Sequence, residues 1–177
     1  QYENPFTQPI DLLDANGNPT GIRITREIHI PDPPIEIDYF PNTLAEVTLS
    51  LPNGSTENVV LSGPTKVEVR ITPTGQAADT DGDGLEQVKT EMVEMSLTGN
   101  SSLGPMMATL SPTQKTLGEI EENANNTAGT LDIPPFTPTG TGHSFFDVFV
   151  ELRIGAQTFH PATPIRMAAT ITHKPPA

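Results

Sequence analysis

Asp79, Asp81 and Asp83 stand on alternate residues of the run Asp79-Thr80-Asp81-Gly82-Asp83-Gly84-Leu85-Glu86, and no other stretch of the chain states a chemistry so directly. Carboxylates at the first, third and fifth positions of a loop, with glycine at the sixth, wrap hard oxygen ligands around a calcium ion. Gly84 permits the sharp bend, and Leu85 offers its backbone carbonyl as the next ligand. Three carboxylates this close repel one another, so the expected cofactor is calcium, which neutralises the loop and stiffens it. The bland alternative is a solvated turn, rich in Asp and Gly for backbone reasons alone.

The run resembles the loops of EF-hands, and more closely the looser Asp-rich loops of dockerins and thrombospondin calcium repeats, which need no long helix on either side. The resemblance covers roughly a dozen residues and leaves the rest of the fold open. It implies a bidentate Glu at the twelfth loop position, which in this chain is Thr90, with Glu91 one residue later and Glu86 inside the loop. Glu86 and Glu91 are the candidate closing ligands, beside a remote acidic residue such as one of Glu119, Glu121 and Glu122. Val67, Val69 and Ile71 before the loop, and Val93, Met95 and Leu97 after it, alternate with a period of two. That period places the loop between strands.

What must position the loop follows from composition. A chain of 177 residues builds one substantial core, and its 19 prolines and 14 glycines, with no tryptophan or cysteine, demand short strands and frequent turns. The expectation is an all-β fold, a β-sandwich of Greek-key or jelly-roll type with proline-rich loops. Residues 1–40 read as an extended N-terminal arm with strand segments, broken by prolines at 31, 33 and 34, and residues 41–177 as the sandwich, with the calcium loop at 79–91. Asp14 to Pro19 is a hairpin turn around Asn16-Gly17, and Gly21–Ile30 is a strand. Ile35–Tyr39, Leu44–Leu51, Val59–Leu61 and Lys66–Ile71 read as separate strands, cut by Pro41-Asn42 and Ser62-Gly63-Pro64. Thr116–Ala124 suits a short helix or a strand, and 131–142, with three prolines, a Greek-key crossing. Phe146, Val148, Val150, Leu152 and Ile154 form one apolar face of a central strand.

Charge and motif content then limit function. A net charge of −13 disfavours nucleic acid and anionic membrane surfaces, and no run approaches the roughly 20 apolar residues of a membrane span. The chain opens on Gln1 without an initiator Met, as a processed or trimmed protein does, and a loop of this kind fills where free calcium is plentiful, so an extracellular or cell-surface location is expected. His143, His160 and His173 fall near strand ends, but their separations favour ordinary surface histidines over a metal site. No nucleophile elbow or phosphate loop is present, so no enzyme is expected. The leading expectation is a secreted structural protein, a homo-oligomer or polymer whose subunits assemble into a filament or surface layer by strand donation from the N-terminal arm. The alternative is a calcium-dependent adhesion or carbohydrate-binding module, weakened by the lack of tryptophan and by only two tyrosines, Tyr2 and Tyr39, for a sugar platform. In general style the chain is similar to secreted bacterial β-sandwich proteins and filament subunits.

Overall fold

Alternation of apolar and polar residues carries through to an antiparallel, all-β architecture. The computed structural model describes residues 10–24 and 34–176, and the chain divides into two units at Pro33–Pro34, the larger of which takes residues 36–40 into its first strand. In the smaller unit, β1 (Ile10–Leu13) and β2 (Pro19–Ile24) form a hairpin. Its turn is the expected one: Asp14 Oδ1 accepts the N–H groups of Asn16 and Asn18, each at 2.8 Å, and Gly17 takes a φ of 83°. The Gly21–Ile30 strand is described only to Ile24, and Gln1–Gln8 lies outside the described residues.

In the larger unit the first strands are fewer and longer than expected, whereas the run expected as one central strand through Phe146, Val148, Val150, Leu152 and Ile154 is split at Phe149 into two strands that pair with different neighbours. β3 (Glu36–Ser50) joins Ile35–Tyr39 to Leu44–Leu51, and β4 (Thr56–Val69) runs straight through Ser62-Gly63-Pro64. A bulge between Phe40 and Thr43 absorbs the proline in β3. In β4 the glycine is there for proximity, since a Cβ on Gly63 would lie 2.0 Å from the Ser96 carbonyl oxygen. β5 (Gln87–Ser101) pairs with β4 along one edge; its other edge is shared by β6 (Gly104–Leu110) and β7 (Thr116–Glu122). β8 (Gly142–Val148) lies beside β7, β9 (Val150–Ile154) beside β6, and β11 (Ile165–Ile171) and β10 (Gln157–Phe159) continue the sheet from them. Thr116–Glu122 is thus strand, its inward Ile120 and Glu122 buried. The 123–141 connection joins two neighbouring strands rather than crossing the sheet.

Irregularities fall at one level of the sheet: the β3 bulge, Gly63-Pro64 within β4 and a second bulge opposite Lys66–Val67, then the Ser111–Lys115 turn, Phe149 and the 160–164 segment, which separate strands. This crease separates two apolar clusters. One gathers Val67, Val69, Val88, Met92, Ile120 and Ile171 with Leu131 and Ile133 from the long connection. The other gathers Val59, Leu61, Leu97, Met106 and Ala108, and Met95 touches both. Burying each such side chain contributes about 1.5–3 kcal/mol, so the inward face of β4, with Val59, Leu61, Val67 and Val69 all buried, anchors both. At the first cluster the chain beyond β11 returns to β3. Lys174, fully buried, reaches Glu36 Oε1 at 2.9 Å and Asp38 Oδ1 at 3.2 Å, and its N–H donates to the Pro134 carbonyl.

Candidate functional site

The acidic loop is held at its base before its carboxylates are placed. Ala78 and Gln87 exchange backbone hydrogen bonds, closing residues 79–86 into one loop, and Gln87 Oε1 accepts the Thr80 N–H at 3.2 Å. Gly82 and Gly84 take φ values of 85° and 95°, conformations that other residues rarely adopt. That bend turns their N–H groups onto Asp79, whose Oδ1 accepts from Gly82 at 2.6 Å and Oδ2 from Gly84 at 3.0 Å. These two bonds hold the Asp79 carboxyl below the usual carboxylate range. Asp83 Oδ1 accepts from Leu85 at 2.9 Å. The result gathers the three aspartates: Asp79, Asp81 and Asp83 are exposed, and each offers an oxygen within 4.8 Å of the others. Such an all-oxygen set has the donor chemistry of a hard divalent cation.

The two candidate closing ligands lie elsewhere. Glu91 stands within β5 and pairs with Lys115 at 2.9 Å. Glu86 turns inward, 6% exposed, and its Oε1 accepts the Gly129 N–H. Thr90, at the twelfth loop position, is buried on the inner face. One of the remote acidic candidates faces the loop instead. Glu121 pairs in register with Gln87, so the two side chains share the face that Gln87 turns to Thr80. Burial lifts the Glu121 carboxyl above its ordinary value, the charges of Asp83 and Asp81 and of Glu119 lift it further, and His143, its neighbour on β8, opposes them.

Behind the loop, Glu86 and Glu122, both among the candidate loop ligands, join Asp132, which sequence reasoning passed over, in one buried group. Glu122 is fully buried; its Oε1 accepts the Glu86 N–H at 3.0 Å and its Oε2 the Asp132 N–H at 2.8 Å. Asp132, also buried, accepts the N–H groups of Asn126 and Thr127. Burial raises the Glu122 carboxyl, the two N–H groups lower it, and the charges of Asp132 and Glu86 raise it again, for a net rise. The one available clue was parity, since Thr116, Gly118, Ile120 and Glu122 share a strand face.

The histidines do not converge. His143 is on β8, His160 follows β10, and His173 contacts the Pro175 carbonyl; among the described residues the aspartate triad is the one group with metal-binding geometry. Along the crease three shallow cavities of about 340, 380 and 350 Å³ adjoin, the first two sharing Val93 and Leu110 and the last two Ser111–Gln114. No helix among the described residues is long and apolar enough to cross a membrane.

No known protein family matches the sequence, and no curated protein does. Among solved structures the chain is similar to DynF from the dynemicin biosynthesis pathway of Micromonospora chersina, with a TM-score of 0.58 and 21% identity over 78% of this chain. The matched region spans 61% of the DynF chain. This likeness establishes the fold and overturns two expectations. The architecture is shared with a protein of a biosynthesis pathway, so the filament-subunit reading is withdrawn. The expectation of no enzyme, drawn from missing catalytic motifs, is withdrawn with it. Composition and strand spacing describe a sheet and carry no information on what the sheet is used for.

Proposed function

We propose that this chain binds calcium at the Asp79–Asp83 loop, and that the ion fastens the β4–β5 connection against β7. The observation that carries this reading is the gathering of the three aspartate carboxylates on a loop already bent by Gly82 and Gly84. Asp79, Asp81 and Asp83 supply the carboxylates, the Leu85 carbonyl is the further loop ligand, and Glu121 is the carboxylate that closes the shell from β7. The chemistry such an ion supplies is charge neutralisation and cross-strand fastening. Thermal unfolding of the wild type and of Asp81→Asn, each in calcium, magnesium and chelator, tests it. Wild-type stabilisation by calcium that Asp81→Asn lacks is the expected result, and identical midpoints in calcium and chelator refute the reading.

A second reading concerns the wider role, and the likeness to DynF favours it. We place the chain in a biosynthetic setting, handling a small molecule along the crease, where the adjoining cavities each have the volume of a modest ligand site. Thermal-shift screening of the wild type against Leu110→Glu, which puts a charge in the shared wall of two cavities, tests this. Ligands that shift the wild type and not the variant support it, and equal shifts in both count against it.

A further inference from the structure

The buried carboxylates Glu86, Glu122 and Asp132 are reached, among the described residues, by backbone N–H donors alone. Glu86 Oε2 is buried too and meets no donor among the described residues. Ionised carboxylates withdrawn from water are strongly disfavoured unless positive charge meets them, and mutual repulsion adds to the cost. Elsewhere in this fold Lys174 meets that demand for buried Asp38. Here Glu122 has both oxygens engaged, and by accepting from Glu86 and Asp132 it fixes those two residues beside each other.

We propose that Glu86 Oε2 and the Asp132 carboxylate anchor a second, buried cation of the calcium class, distinct from the ion of the Asp79–Asp83 loop. An all-oxygen donor set selects a hard cation. The buried group is wider than the aspartate triad, whose oxygens already lie within 4.8 Å, so the ion draws Glu86 and Asp132 together. It thereby ties the start of β5 to the 123–133 connection. Glu122 is a positioning residue for this site. The inference does not rest on the surface loop being occupied.

The test counts ions. The full chain is stripped with chelator and titrated with calcium alone by flow dialysis, as wild type, Asp81→Asn, Glu86→Gln and the double variant, with circular dichroism as the folding check. Two ions in the wild type, one in each single variant and none in the double are expected, with affinity at the buried site falling at least about tenfold in Glu86→Gln. Asp132→Asn, which keeps an oxygen for Asn126 and Thr127, gives the same loss if Glu86→Gln fails to fold. Loss of all calcium in Asp81→Asn overturns the proposal, as does a residual ion untouched by Glu86→Gln and Asp132→Asn. If Asp81→Asn leaves the ion count unchanged and Glu86→Gln reduces it, the buried site stands and the surface-loop reading falls.

Discussion

Asp79, Asp81 and Asp83 on one side of the β5 start, and Glu86, Glu122 and Asp132 on the other, are equal in number and opposite in circumstance. The first three stand in water, where charge costs little and an arriving ion displaces only solvent. The second three are buried and stitched to backbone N–H groups of two connections. The difference shows how one fold holds carboxylates both exposed on a bent loop, where the proposed ion would meet them, and buried as interior mortar. A third arrangement completes the comparison, because buried Asp38 has an ammonium partner and the interior cluster has none among the described residues.

Removing that partner produces the largest expected effect. Lys174→Ala leaves Asp38 buried and uncompensated, and the loss, read by urea unfolding, is about 3–5 kcal/mol; a smaller change than the other substitutions cause would mean that Asp38 escapes to solvent. Glu122→Ala comes next. It strands the Glu86 and Asp132 N–H groups in the interior, for a loss of about 2–4 kcal/mol that persists in chelator. Asp81→Ala sharpens the contrast, since its effect is conditional: with calcium at 100 times its dissociation constant the wild type gains about 2.7 kcal/mol that the variant lacks, and in chelator the two unfold alike.

The smallest effect is a pH slope. Burial raises the Asp38 carboxyl above its ordinary value of 3.8 despite the opposing pull of Lys174. The folded chain therefore keeps a proton that the unfolded chain releases. The stability this contributes is complete below 3.8 and is lost as pH rises through the raised folded value. Melting curves from acid to neutral pH should show this falling component in the wild type and lose it in Asp38→Asn; a rising component removed by the same substitution would reverse the assignment.

The surface triad was legible in the sequence because its three carboxylates are local, spaced by alternation within five residues and bent by glycines that announce themselves. The all-β class was legible for a similar reason, the period of two. Strand lengths were not. Pro41 and Gly63-Pro64 look like terminators, yet a bulge and a close backbone approach let β3 and β4 run on. The shell beyond the aspartates was harder still. Glu121 is set opposite Gln87 by the β5–β7 register, and the Asp132 N–H reaches Glu122 from a long connection; neither relation leaves a spacing in the chain. Glu91 had the right chemistry and nearly the right distance in sequence, but strand pairing carries it to Lys115. Function was the least legible of all, because it depends on a site's surroundings rather than on the pattern that builds the sheet.

The most direct test of the account is an isothermal titration of calcium into the chelator-stripped chain, run beside Asp81→Asn under identical conditions. The account predicts a saturable binding component in the wild type that Asp81→Asn loses. No calcium binding by the folded wild type, or binding that Asp81→Asn leaves intact, would contradict it.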